Sequence, residues 1–198
     1  MKLGYSKKCI SLNKELNSLD EFVIKFCNIL DEENVKYVVV SGYVAIVFGR
    51  SRATEDVDIL CEKITQEKFK PLWSKISAEF QCVNANSEAE AWDYLKEGAV
   101  RFYIDKPMPN IEFKFPKSIV DEHTIEQRIE LKLNGHTLQI SPLELQIAFK
   151  LYLGADKDIE DARHLYKVFF EKLDKSKLSN YMVLLKVPRQ TVDLLEKI

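Results

Sequence analysis

No stretch of this 198-residue chain approaches the roughly 18 consecutive apolar residues that a membrane-spanning helix needs, and its first residues carry no apolar signal core. Cysteine is sparse: Cys9, Cys27, Cys61 and Cys82 stand far apart with no Cys-x-x-Cys pair. That excludes the common zinc and disulfide frameworks and favours reduced thiols. No Gly-rich loop with its Lys is present to cradle a triphosphate in the Walker manner. The three histidines, His123, His136 and His164, are scattered with no nucleophile partner, which speaks against Ser-His or Cys-His catalysis. Neither sign of charge dominates, with 29 basic against 31 acidic residues, so no global field recruits nucleic acid. From Arg163 onward, however, the balance turns mildly basic, which suits either an RNA acceptor or an ordinary solvated helix face. Repeats and low-complexity tracts are absent. The expectation is a soluble cytoplasmic protein.

What is there is apolar material for a core, 46% of the residues, and one organising stretch. Val38-Val39-Val40 reads as a buried strand that stops at Ser41-Gly42. Residues 43–48 suit a short helix ended by Gly49. A polar turn with Arg50, Arg52 and Thr54 leads to Asp56-Val57-Asp58-Ile59. On a strand, side chains alternate, so Asp56 and Asp58 share one face while Val57 and Ile59 enter the core. Two like charges side by side repel unless a cation lies between them. Mg²⁺, with Mn²⁺ as a substitute, suits such hard oxygen ligands.

Along the rest of the chain, residues 1–18 are polar and expected to be loosely held. Ser18 or Asp20 would cap a helix to about residue 34, with Phe22, Val23, Phe26, Ile29 and Leu30 on its apolar stripe. A helix over 65–80, capped by Thr65, is expected to break or kink at Pro71. A short helix over 87–97 would end at Gly98. Residues 99–104 and 110–115 read as paired strands, with 105–109 irregular because of Pro107 and Pro109. In the second strand, Lys114 reads as part of a solvated sheet face. Asn134-Gly135 marks a hairpin between 128–133 and 136–140. Ser141, Pro142 and Glu144 fit N-cap, N1 and N3 of a helix ending at Gly154, and a second helix follows Asp156. Segments 175–187 and 189–198, parted by Pro188, complete a helical tail.

The organising stretch resembles the signature of the nucleotidyltransferase superfamily, whose core is like that of DNA polymerase β. That signature is a strand, a Gly-[Gly/Ser] turn, a short helix, and Asp-hydrophobic-[Asp/Glu]-hydrophobic about a dozen residues later. Ser41 replaces the commoner Gly and keeps a small residue. Downstream, Ser141-Pro142-Leu143-Glu144, Lys150-Leu151 and Lys157-Asp158-Ile159-Glu160-Asp161 look like the helical segment of stand-alone enzymes related to abortive-infection toxins. The patches span roughly residues 36–170.

The resemblance implies an α/β (α+β) fold, with a mixed sheet flanked by helices in a core of residues 19–140 and a helical portion over 141–198. It implies transfer of an NMP from an NTP such as ATP to a hydroxyl acceptor, with two Mg²⁺ ions held by Asp56, Asp58 and a third carboxylate. Glu112 is the first candidate for that carboxylate and Asp105 the reserve. Ser41 and Gly42 would let phosphate approach the backbone. Arg50 and Arg52 would neutralise triphosphate charge or, alternatively, pair with Glu55 on the surface. By analogy Lys150 would reach the phosphates and Asp158 or Asp161 would order the site; the alternative for all three is a helix-surface charge. The acceptor could be a tRNA end, a protein or a small molecule, and a cognate helical protein partner is compatible. The competing class is a non-catalytic nucleotide-binding or antitoxin-like module.

Overall fold

The computed structural model describes residues 2–6 and 8–196. In chain order the elements are β1 (Lys2–Ser6), β2 (Cys9–Asn13), α1 (Ser18–Glu32), β3 (Tyr37–Val40), α2 (Gly42–Val47), β4 (Asp56–Cys61), α3 (Gln66–Glu79), β5 (Gln81–Cys82), α4 (Glu88–Glu97), β6 (Ala99–Ile104), β7 (Lys106–Lys114), α5 (Ile119–Glu126), β8 (Ile129–Leu133), β9 (His136–Ile140), α6 (Leu143–Leu153), α7 (Asp156–Phe169), α8 (Lys175–Leu184) and α9 (Arg189–Glu196). Among the described residues the strands form one mixed sheet in the order β1-β2-β8-β9-β3-β4-β7-β6-β5. β4 lies near its middle, antiparallel to β3 and parallel to β7. No helix among the described residues is long and apolar enough to cross a membrane.

Strand alternation divides the sheet into two faces. Val57 and Ile59 of β4, Ile111 and Phe113 of β7, and Val100 and Phe102 of β6 are fully buried on one of them. There α1 supplies the centre of the core: the Phe26 ring lies 5.3 Å from Phe80, 5.5 Å from Phe102 and 5.7 Å from Phe113. α3 and α4 extend it through Phe69 and Trp92, 5.5 Å apart. On the other face, Val38 and Leu60 are covered by Ile125 of α5, and beyond them the strands carry charge. At the sheet's other flank α7 packs on α2, where the Phe169 ring meets Phe48 at 4.8 Å and Tyr5 at 5.9 Å.

Several local expectations hold. Asn134 and Gly135 take φ of +50° and +90° in the β8–β9 turn, and Gly154 closes α6 at φ +71°. Others do not. Residues 1–18 are far from loose where described: β1 and β2 pair, and β2 joins β8 in parallel with Ile10 opposite Leu131. Only Ile10 and Leu12 face inward, too few to register as alternation, and their partner strand is remote in sequence. α1 is capped by Asn17 rather than Ser18 or Asp20, in a reciprocal box in which Asn17 accepts from the Asp20 amide and Asp20 from the Asn17 amide. Asp20 is fully buried and also bound by Lys14 and the Tyr43 hydroxyl.

Pro71 does not end α3. It sits on the solvent side, where water can take up the carbonyl it leaves unpaired, while Phe69, Leu72 and Ile76 hold the buried side. β7 likewise runs through both prolines. Pro107 and Pro109 precede the registered pairing with β4, which begins at Asn110, so their missing N–H groups break no rung of that ladder. α5, with its Ser118–Asp121 capping box, has no counterpart in the sequence reading. The Ser141 hydroxyl donates to Gln146 instead of capping α6. Of the expected 189–198 helix, residues 197 and 198 lie outside the described residues.

Candidate active site

Register builds the site. Asp58 on β4 stands opposite Glu112 on β7, Asp56 stands opposite Asn110, and Glu112 in turn faces Arg101 on β6. Period-two alternation puts Asp56, Asp58, Asn110, Glu112 and Lys114 on one face. Asp105 lies at the far end of β7, in the turn after β6 with φ +60°. Of the two candidates for the third carboxylate, only Glu112 neighbours the Asp pair.

The carboxylates already have cationic company. Lys114 donates to Asp58 and lies 3.5 Å from Glu112. Arg101 donates to Glu112 Oε1 through Nε at 2.9 Å and Nη2 at 2.5 Å. Burial works to raise the Glu112 pKa, but the Arg101 hydrogen bond and the charges of Lys114 and Arg101 more than reverse this, holding it below the usual value. Asp56 lacks such bonds. Burial, then the charges of Asp58 and Glu112, push its pKa up against the opposing pull of Lys114 and Lys157.

Among the described residues, no three His, Cys, Asp or Glu side chains stand close enough together to hold a metal ion as they are. The donor set still fits a hard cation. Three carboxylates share one face, and beside Asp56 the buried Asn110 Oδ1 has no hydrogen-bond partner. A cation at Asp58 requires Lys114 to swing away.

The turn before α2 adjoins this face, because Val40 is the β3 partner of Asp58. Ser41 has φ +62° and ψ −135°, a region that non-glycine residues rarely occupy. Gln146 of α6 clamps it. The Gln146 Oε1 accepts from the Ser41 amide at 3.2 Å and its Nε2 donates to the Ser41 carbonyl at 2.9 Å. A Cβ at Gly42 would collide with the Arg52 guanidinium.

Arg52 is held there by Asp161, which accepts from Nε at 2.9 Å and Nη2 at 2.8 Å. Asp161 is fully buried and lies 3.2 Å from Lys150, whose ammonium also bonds Asp158 at 2.5 Å. Lys150 is therefore enclosed, with 2% of its side chain exposed. Asp158 and Asp161 face inward with it, away from the helix surface. Arg50 leans more loosely on the same group, 3.8 Å from both Asp161 and Glu160. Lys157, exposed at the start of α7, is close enough to Asp56 to pull its pKa down and has no carboxylate partner of its own among the described residues.

The structure thus gathers Asp56, Asp58, Glu112, Ser41, Gly42 and Arg52, with Lys150, Asp158 and Asp161 as a buried brace behind them. It adds Arg101, Asn110, Lys114, Gln146 and Lys157. Lys114, expected on a solvated sheet face, shares the face of Glu112 by alternation on β7, and Arg101 comes from the neighbouring β6 with no local signal. For Gln146 the signal is a lone amide in an otherwise apolar stretch of helix.

This sheet, with its acidic strand beside a strained small-residue turn, defines a nucleotidyltransferase-like fold, and solved structures agree. The chain is similar to an antigenic nucleotidyltransferase-like protein from Paracoccidioides brasiliensis, with a TM-score of 0.57 over 89% of this chain and 91% of that one at 15% identity. It is also similar to the antibiotic-resistance factor ANT(2'')-Ia, with a TM-score of 0.51 over 87% and 94% of the two chains at 12% identity. No family model matches the chain, and neither does any curated protein sequence.

Two predictions follow from this geometry. Gln146→Leu should destabilise the protein by about 1–3 kcal/mol by leaving the Ser41 backbone groups unpaired. Adding Ser41→Gly should recover part of this in urea denaturation, since glycine takes φ +62° without strain; no recovery would mean that Gln146 is not what holds the turn. For Asp56, the folded state binds its proton more tightly than the unfolded chain does, so stability falls as pH rises from the ordinary carboxylate pKa through the raised one. Asp56→Asn should therefore melt at a higher temperature than wild type at pH 7 in metal-free buffer. That gap should close as the pH is lowered below the ordinary carboxylate range.

Proposed function

We propose that this protein is a Mg²⁺-dependent nucleotidyltransferase that moves an NMP from an NTP to a hydroxyl acceptor. The observation that carries the reading is the register of Asp58 with Glu112, and of Asp56 beside them, next to the strained Ser41–Gly42 turn. Asp56, Asp58 and Glu112 would hold the divalent cations, two being the expected number, with Mn²⁺ able to substitute. Bound cations would neutralise the triphosphate and ease deprotonation of the attacking hydroxyl.

The remaining roles belong to this chain's own residues. The Ser41–Gly42 backbone would face the phosphates, kept in shape by Gln146. Arg52, aligned by Asp161, would add positive charge beside the turn, and Arg50 would add charge from farther out. Lys157 is the free ammonium best placed for the triphosphate. Lys150 supports the site from beneath by ordering Asp158 and Asp161. The acceptor oxygen attacks the α-phosphorus, pyrophosphate departs, and the hydroxyl proton passes to the carboxylate set. Residues 19–140 would form the catalytic core and 141–198 the helical portion that braces it. The sequence resemblance extends the proposal to a toxin-type enzyme with a cognate helical protein partner.

A second reading has its own observation. Lys114 and Arg101 neutralise Asp58 and Glu112 without any metal, as suits a nucleotide-binding or antitoxin-like module that does no chemistry.

Incubation with each α-labelled NTP and a cell extract fractionated into RNA, protein and small molecules separates the two. Asp58→Asn should lower label transfer by about 100-fold or more while leaving the fold intact. Absence of transfer by the wild type with every NTP would favour the binding module. Lys157→Gln should raise KM for the NTP about tenfold with a smaller effect on kcat, as loss of one charged phosphate contact does. An unchanged KM would remove Lys157 from the nucleotide site.

A further inference from the structure

The outer side of α7 is not used by the chemistry above, yet it is built in an unusual way. A cleft of about 230 Å³ opens there, lined by Arg50, Glu160, Arg163, His164 and Lys167. Three full cations line it beside one carboxylate, Glu160, which lies 3.4 Å from Arg163 and 3.8 Å from Arg50. Arg50 contributes from the loop after α2, where its buried Nε has no hydrogen-bond partner and its nearest carboxylates are 3.8 Å away. His164 is fixed by a 3.0 Å contact between Nε2 and the Phe48 carbonyl at the end of α2.

Positions 160, 163, 167 and 170 lie on one helical stripe at 3.6 residues per turn. The stripe therefore continues from the cations onto Phe170, which is 53% exposed. Tyr166 stands edge-on to Phe170 at 5.3 Å, and the Lys175 ammonium sits 3.8 Å from the Phe170 ring centroid and 4.2 Å from that of Tyr166. Tyr166 is partly buried against the core and leaves Phe170 as the exposed ring. An exposed ring that continues a run of cations is a construction by which proteins hold single-stranded nucleic acid, cations following the phosphates and the ring taking a base. A core-stabilising role does not explain the Phe170 ring, about half of which is exposed beside Lys175. The stripe reaches back toward the catalytic face, since Lys157, in the first turn of α7, is close enough to Asp56 to act on its charge and lies about 15 Å along the helix from Lys167.

We propose that this face of α7, with Arg50, binds a single-stranded nucleic acid whose phosphates contact Arg50, Arg163 and Lys167 and one of whose bases stacks on Phe170. The proposal deepens the nucleotidyl-transfer reading by making the strand the acceptor, and it rests on that reading only for what the strand is bound for.

The test is fluorescence anisotropy with a labelled single-stranded 12-nucleotide RNA, titrated at several salt concentrations. The logarithm of the affinity should fall with the logarithm of salt at a slope of about −2, the value for three phosphate contacts on a single strand. Lys167→Gln should weaken binding and flatten that slope by about 0.7. Phe170→Ala should weaken binding about tenfold with the slope unchanged. Both residues are exposed, so folding should survive, which circular dichroism would verify. Neither change should alter binding of a labelled NTP.

An RNA that fails to bind the wild type at 50 mM salt would overturn the proposal. So would wild-type affinity in both variants, or a duplex of the same sequence binding as well as the single strand. If the RNA binds as described but no NTP is bound or transferred, the nucleic-acid site stands and the enzymatic reading falls. If NTP transfer proceeds without RNA binding, the reverse holds.

Discussion

A carboxylate with no exposure to water, Asp161, is the point on which the rest of the molecule turns. Burying a charge is costly unless its partners are close and well aimed, and removing one partner from such a group typically costs about 3–5 kcal/mol. Asp161 meets the condition with Arg52 in a two-pronged bond and Lys150 at 3.2 Å, while Lys150 in turn satisfies Asp158. These groups come from the loop before β4, from α6 and from α7. The brace therefore ties the helical tail to the loop that delivers the acidic strand. α6 makes a second tie through Gln146, which grips the backbone of Ser41. Ser41 is thus fixed from α6 and Arg52 from α7, and Lys150 of α6 joins the two holds through Asp161.

Between those ties the acidic strand carries a problem of its own, three carboxylates on one face. The sheet resolves two of them internally, through Lys114 and Arg101, and leaves Asp56 the least compensated. Asn110 adds an unpartnered oxygen beside it. The site is thus charged unevenly. The side nearest Asp56 and Lys157 is the more open to a newcomer, and the side nearest Glu112 the more closed.

What could be read from the sequence was whatever depends on neighbours along the chain. The Asp56–Asp58 period, the Asn134–Gly135 turn, the Thr65 cap and the helix ends at Gly98 and Gly154 are all local, and all hold. What escaped depends on partners distant in sequence. β2 has only two inward residues and its meaning comes from β8. Pro71 and the prolines of β7 look disruptive until the solvent side of α3 and the start of the β4 ladder are known. Lys114 reads as a solvated lysine because alternation tells which face it is on and not who shares that face. Lys150 sits in an apolar run and Lys157 among acidic residues, yet the carboxylates that hold Lys150 inside, Asp158 and Asp161, come from the next helix and only packing brings them to it. Glu112 is the intermediate case: its strand was legible, its register against Asp58 was not.

Gly42 has a φ that any residue could adopt, so it differs from the glycines of the turns. It is small because the Arg52 guanidinium lies where its side chain would be. The hydrogen atom at position 42 is therefore part of the accommodation of an arginine, and through it of an aspartate on the far helix. Any larger residue there would press on Arg52 and weaken its hold on Asp161, leaving the buried carboxylate to Lys150 alone, although the two positions never touch. Positions 42, 52 and 161 are consequently coupled through packing. A lineage that gave up the arginine or the aspartate would be released from the glycine as well, and related sequences should lose or keep the three together.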